Sequence, residues 1–265
     1  MSAIIAWINR LDTVTLTAEN ANPLHPISNL QRRGLAEFAA PVDESSVLYV
    51  YPDAWAGDID FVAFLGVAAG TYEVQRWDTD ELLPVWVSVA SVTTPPDEPR
   101  YGLPIHVFIA MVEPLRAGNI VRLACTGRVS RLWAGPSLRL PDGIGAQWRM
   151  GFRDYGNLEA GEGRTHVETP GVRARVLTIP VGSALGAEVA WGIADDDPDA
   201  TTHPMNLHAL QMEAGTTGEV IAISSTRTPI WMTRTGIYGH ITSEWEIEHE
   251  AGPYSRASIV LEEER

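Results

Sequence analysis

The stretch Ile59-Asp60-Phe61-Val62-Ala63-Phe64-Leu65-Gly66-Val67 decides the fold. It is nearly continuously apolar, which marks a strand buried on both faces. Such a strand needs a layer of structure on each side of it. The neighbouring segments supply candidates with a period of two. Val47 to Tyr51 is a strand stopped by Pro52-Asp53. Thr71 to Trp77 alternates until Asp78 begins a turn, and Val85 to Val92 runs until Pro95-Pro96. Ile105 to Val112 and Ile120 to Cys125 complete a sheet-rich first half. β-Branched and aromatic residues fill these runs, and Gly, Pro and Asp punctuate them about every ten residues, the rhythm of a sandwich or jelly roll.

The midpoint carries two strong stops inside Arg131 to Ile144 (RLWAGPSLRLPDGI). Gly135-Pro136 turns the chain out of the first half, and Pro141-Asp142-Gly143 hands it to the second. Trp133 is expected at the seam. The second half contains Trp148 to Phe152, then Gly171 to Val181, which alternates clearly. Further strands are expected at Glu219–Ser225, Ile230–Thr233, Tyr238–His249 and Tyr254–Glu262. The segment HPMNLHALQMEAG predicts one helix, over about 204–214. Met205, Ala209 and Met212, with Leu207 and Leu210 beside them, form its apolar face; Thr202 or His203 would cap it and Gly215 stop it. The fold class is therefore all-β: two β-sandwich domains, 1–142 and 143–265.

The 265 residues carry 34 acids against 19 basic residues, a net charge of −15, and every basic residue is Arg. A nucleic-acid site needs a basic patch, so direct nucleic-acid binding is not expected. An anionic membrane surface is an equally poor fit, and no apolar run approaches the length of a membrane span. The opening MSAIIAWINRLDTVTLTAEN reads as a first strand, not a signal peptide. One cysteine, Cys125, makes no internal disulfide and reads as a small buried hydrophobe.

Catalytic constellations are missing from the sequence. There is no G-x-S-x-G, H-E-x-x-H or Walker loop. The seven histidines are scattered, and His203 and His208 lie five apart, a poor spacing for one metal on a helix. Asp195, Asp196, Asp197 and Asp199 lack calcium-loop spacing and read as a solvated loop. Asp58 and Asp60 are one of many carboxylate pairs that 34 acids create, so they do not single out glycoside chemistry. No enzyme activity, metal or cofactor is expected. Two features remain. Along Tyr238–His249, Glu244, Glu246 and Glu248 form an acidic stripe opposite Ile241, Trp245 and Ile247. A row of carboxylates usually faces water or arginines; the sharper reading is a wall lining a lumen. The nine Trp are the other lead. Trp55 in the polar loop PDAWAGD, with Arg76 and Trp77, could stack a sugar ring, although Trp more often fills cores.

Two segments resemble a known family. Asn22 to Phe38 (NPLHPISNLQRRGLAEF) before LYVYP, followed by IDFVAFLGV, Gly118–Cys125 and the closing Arg131-Leu132-Trp133-Ala134-Gly135-Pro136, resembles phage tail proteins with a discoidin-like (galactose-binding-like) jelly roll. The order GVRARVLTIPV, helix, Gly218-Glu219-Val220-Ile221, Tyr238-Gly239-His240-Ile241 and an acidic final strand resembles the tail-tube-like, ring-forming sandwich of distal tail proteins. The acidic insert at 195–202 and the jelly roll standing first depart from that pattern. The resemblance implies a structural component at the tail tip or baseplate of a long-tailed phage virion, made in the host cytoplasm. Its partners would be copies of itself in a ring of three or six, other tail-tip, hub and tail-tube proteins, and host surface glycan. The alternative is a carbohydrate-binding module working through Trp55, Arg76 and Trp77.

Overall fold

A computed structural model describes residues 3–264 except 80–83, 95–104, 141–147, 155–156, 161–165, 170–172, 186, 192–204, 243–245 and 250–254. The first half holds β1 (Ala3–Ala6), β2 (Leu16–Glu19), β3 (Leu48–Pro52), β4 (Ile59–Leu65), β5 (Gly70–Asp78), β6 (Val85–Thr94), β7 (His106–Leu115), β8 (Val121–Cys125), β9 (Arg131–Gly135) and β10 (Leu138–Leu140). The second half holds β11 (Arg149–Asp154), β12 (Asn157–Ala160), β13 (His166–Thr169) and β14 (Arg173–Leu185). After helices α1 (Ala187–Trp191) and α2 (Leu207–Glu213) come β15 (Val220–Ile223), α3 (Pro229–Thr235), β16 (Gly236–Ile241), β17 (Glu248–His249) and β18 (Ser255–Glu263). The fold is mostly β, as the period-two pattern predicts.

Three antiparallel sheets stack. The outermost is five-stranded, in the order β2-β3-β8-β5-β6. Against it lies a three-stranded sheet, β7-β4-β9, and together they make the jelly-roll sandwich. The third sheet has β10-β1-β15-β16-β18-β14-β11 in line, with β17 attached to β18. β12 and β13 pair as a separate hairpin. Strand β4 occupies the centre, as its sequence demands. Val62 and Phe64 face the five-stranded sheet and join Leu48, Tyr72, Val74 and Leu123 in the first core. Phe61, Ala63 and Leu65 face the opposite way and pack on Ile4, Ile221, Ile223 and Tyr238 of the third sheet. The other face of that sheet is covered by α1 and α2 through Ala190, Leu207 and Leu210.

Sheet membership does not follow the sequence division at 142/143. β1 pairs with β15, Ile4 opposite Ile223, and β10 pairs with β1. Both strands are parts of the third sheet contributed by the first half. Trp133 is 1 % exposed and lies in the seam core beside Tyr238, their ring centroids 6.5 Å apart.

Buried charge ties the layers. Arg131, 0 % exposed, donates from Nη2 to Asp12 at 2.8 Å and to Glu219 at 2.6 Å. The Tyr238 hydroxyl donates to the other Glu219 oxygen. Within the third sheet Arg175 on β14 grips Glu263 on β18, with Nε 2.9 Å from both carboxylate oxygens, and His106 Nε2 reaches from β7 across the seam to stand 3.4 Å from Glu263. The Arg175 pairing holds the Glu263 carboxyl at about 2, against the opposing pull of its burial. A charge placed here without its partner would cost several kcal/mol, so the contacts that cross the seam, Arg131 with Glu219 and His106 with Glu263, favour this facing of the sheets.

Local details correct three expectations. The segment Ile230–Thr233 is helix and not strand: Thr228 Oγ1 accepts from Trp231 N at 3.1 Å and Pro229 sits in the first turn, which starts α3. Helix α2 is capped by Asn206, whose Oδ1 accepts from Ala209 N at 2.8 Å; Thr202 and His203 lie outside the described residues. The expected strand Tyr238–His249 is two pieces, β16 ending at Ile241 and β17 over Glu248–His249. Alternation continued through the sequence, but the ladder between β16 and β18 stops at Ile241 opposite Leu261.

Candidate functional site

The side chains that alternate outward from the five-stranded sheet form a patch unlike the rest of the surface. On β3, Leu48 and Val50 point into the core, so Tyr49 and Tyr51 point out. On β8, Val121 and Leu123 point in, so Arg122 points out. On β5, Tyr72 and Val74 point in, so Glu73, Gln75 and Trp77 point out, and Trp86 on β6 sits opposite Trp77 in the register. All of these outward residues are half-buried. A β-bulge between Val74 and Gln75 on β5 and Ala90 and Ser88 on β6 resets the register so that the two Trp meet.

The patch is built around Arg122. Its guanidinium carbon lies 4.2 Å from the centre of the Tyr49 ring and 4.3 Å from that of Trp86, so an aromatic ring covers each side of it. Its Nε donates to Gln75 Oε1 at 2.5 Å, and Gln75 Nε2 donates in turn to Glu73 Oε2 at 2.6 Å. Trp86 meets Trp77 edge to face at 5.1 Å and Tyr51 at 5.9 Å. The Tyr51 hydroxyl has its pKa raised by burial, with Arg122 and Glu19 both interacting with it. Among the described residues Arg122 has no carboxylate at ion-pair distance, whereas Arg139, Arg153 and Arg175 each have one and Arg131 has two. The result is a row of rings across strands, with fixed hydrogen-bond donors and acceptors between them. Ring faces stack on the C–H faces of flat ligands, and planar polar side chains read hydroxyl positions.

The structure separates the residues singled out in the sequence. Trp77 belongs to the patch. Arg76 is on the opposite face of β5, 3.9 Å from Asp78, so it does not share a surface with Trp77. Trp55, expected in an exposed loop, is 7 % exposed and packs in the first core. Its ring face is therefore not available to a ligand. Of the acidic stripe, Glu246 and Glu248 are exposed, and Glu244 lies outside the described residues, as does the loop Asp195–Asp199. Tyr49, Tyr51 and Arg122 escape a reading of the sequence because β3 and β8 lie far along the chain from the Trp77 and Trp86 that flank the turn between β5 and β6. Only their alternation out of phase with Leu48, Val50, Val121 and Leu123 could have found them.

Other chemistry finds little support. Cys125 is buried and its thiol is pushed up to about 12, which keeps it protonated and unreactive. Among the described residues no group of three or more His, Cys, Asp and Glu could hold a metal ion, and no helix is long and apolar enough to cross a membrane. A cleft of about 410 Å³ is lined by Arg33, Glu219, His240 and Glu264. Both Glu219 oxygens are already held there, by Arg131 and Tyr238.

No family model matches the chain, and no curated protein sequence matches it. Among solved structures, it is similar to chitosan-binding module 1 of a chitosanase/glucanase from Paenibacillus sp. IK-5, at 15 % identity over 49 % of this chain and 99 % of that one, with a TM-score of 0.36. It is also similar to CpGH89CBM32-4, produced by Clostridium perfringens and solved in complex with GlcNAc-α-1,4-galactose, at 13 % identity over 49 % of this chain and 94 % of that one, with a TM-score of 0.36.

Proposed function

We propose that the chain is a carbohydrate-binding protein without turnover, and that its recognition surface is the outer face of the five-stranded sheet. One observation carries this reading: Tyr49, Arg122, Trp86 and Trp77 form a continuous, half-exposed aromatic row outside any core. Apolar rings elsewhere in this half, such as Phe61, Phe64 and Tyr72, are fully buried. Rings left at the surface in register with a fixed Arg, Gln and Glu suit a sugar chain, which offers apolar C–H faces and hydroxyls together. The flat sheet face suits a polymer laid across it better than a small enclosed ligand.

The test is affinity electrophoresis in gels containing soluble polysaccharides, with Trp86→Ala and Trp77→Ala beside the parent chain. Trp86→Ala removes a stacking face and the cover over Arg122, and is expected to weaken binding at least tenfold, with the far-UV circular dichroism unchanged. Equal retardation of parent and Trp86→Ala would overturn the assignment of this face.

A second reading, a tail-tip component of a phage virion as the sequence resemblance implies, is favoured by one feature. The strand β6 is an edge among the described residues and exposes Val85, Val87 and Val89 at 42 %, 38 % and 38 %. Uncharged edge strands are surfaces that assemblies cover. A trimer or hexamer by light scattering would support that reading, and the two roles are compatible.

A further inference from the structure

We infer that this face takes uncharged, hydroxyl-rich glycan chains and turns away polyanionic ones, an inference that rests on the carbohydrate reading above. The row alternates hydrogen-bond donors and acceptors. Arg122 supplies donors beyond the one held by Gln75. Glu73 keeps one carboxylate oxygen beyond the one held by Gln75, and Glu19 stands at the Tyr51 hydroxyl. Hydroxyl groups both donate and accept, so a neutral sugar can satisfy Arg122 and the two carboxylates at once. The carboxylate of a uronate, or a sulfate group, carries acceptors only, in place of a hydroxyl that could donate. That group would gain Arg122 but meet the carboxylates of Glu19 and Glu73 as a like charge that donates nothing to them.

Charge points the same way. Arg122 is the one cation described within the row, and Glu19 and Glu73 outnumber it. The whole chain carries −15, which raises the cost of bringing a polyanion near. Arg122 serves here as a rigid planar donor held between two rings. A lysine could supply its charge but not its plane.

The experiment runs the intact chain through gels containing neutral polymers (hydroxyethylcellulose, galactomannan, xylan) or anionic ones (polygalacturonate, alginate, dextran sulfate). Each is repeated between roughly 20 mM and 500 mM salt, a range that collapses the Debye length severalfold. The expected result is retardation by a neutral polymer that changes less than about twofold with salt, and none by the anionic polymers. Arg122→Gln and Arg122→Lys, each checked by thermal melting, are both expected to weaken neutral binding about tenfold, the size of one charge-assisted hydrogen bond. Retardation by an anionic polymer that is lost at high salt and kept in Arg122→Lys would overturn the inference while leaving the carbohydrate reading intact. Absence of retardation by any polymer would overturn the carbohydrate reading itself.

Discussion

Glu263 shows how much one side chain can hold. It is 1 % exposed at its side chain, gripped by Arg175 and faced by His106, and its carboxyl sits at about 2 instead of 4.5. A folded-state value below the unfolded one adds stability that is full above the unfolded pKa and is lost as pH falls towards the folded one. The loss is therefore expected between about pH 5 and pH 2, and is on the order of 3 kcal/mol. Asp12 and Asp60 are raised by burial and work in the opposite sense, gaining stability on protonation. Denaturant unfolding across that range should show the acid loss in the parent chain and a flatter profile in Glu263→Gln, which starts less stable at neutral pH. A parallel profile for both would show that Glu263 is not the group responsible. None of this is legible in the sequence. Glu263 sits in a run of three glutamates, Glu262 to Glu264, at the acidic end of the expected final strand, where nothing marks one of them as buried. Arg175, His106 and Arg131 are found only when the layers come together.

At the level of elements, legibility depended on whether a segment's own pattern was decisive. Strand β4 was readable because a run apolar on both sides has few other homes. Helix α2 was readable as an element, but its buried side is Leu207 and Leu210 while Met212 of the expected stripe is exposed, and its cap was not readable because several polar residues precede it, of which Asn206, among the described residues, has the geometry. The Ile230–Thr233 segment misled because Ile, Trp and Thr favour strands, whereas the Thr228-Pro229 start and the packing of Met232 in the seam core impose helix. Strand β16 passes so close to β18 that a methyl group on Gly239 would stand 1.7 Å from the Glu262 carbonyl oxygen. No rotamer relieves a clash with backbone. Gly239→Ala is expected to separate β16 from β18 and cost about 3 kcal/mol or more, the scale of a severe overpacking defect. Unfolding in urea measures it; a loss under about 1 kcal/mol would mean the strands shift to make room.

Taken whole, the molecule is a stack in which the middle sheet serves two cores, and the two halves of the sequence share the third sheet. In the sequence Gly135-Pro136 and Pro141-Asp142-Gly143 read as a division of the chain at its midpoint. The exchange of β1 and β10 was not legible there, because sequence order carries no information about which distant edge a strand will join. A chain cut at residue 142 would bare Phe61, Ala63, Phe108 and Trp133, which the third sheet covers. That fragment is expected to bind the dye ANS strongly and to self-associate, while the intact chain unfolds in one transition seen alike by Trp fluorescence and far-UV circular dichroism. Two separated transitions would show that the halves are energetically independent. The placement of β1 also bears on time. Ile4 leaves the ribosome well before its pairing partner Ile223, because most of the chain lies between them. One edge of β1 can pair with β10 once Leu138–Leu140 are made, but its other edge must stay apolar and open until Ile223 follows, so closure of the third sheet is a slow event that waits on a distant segment.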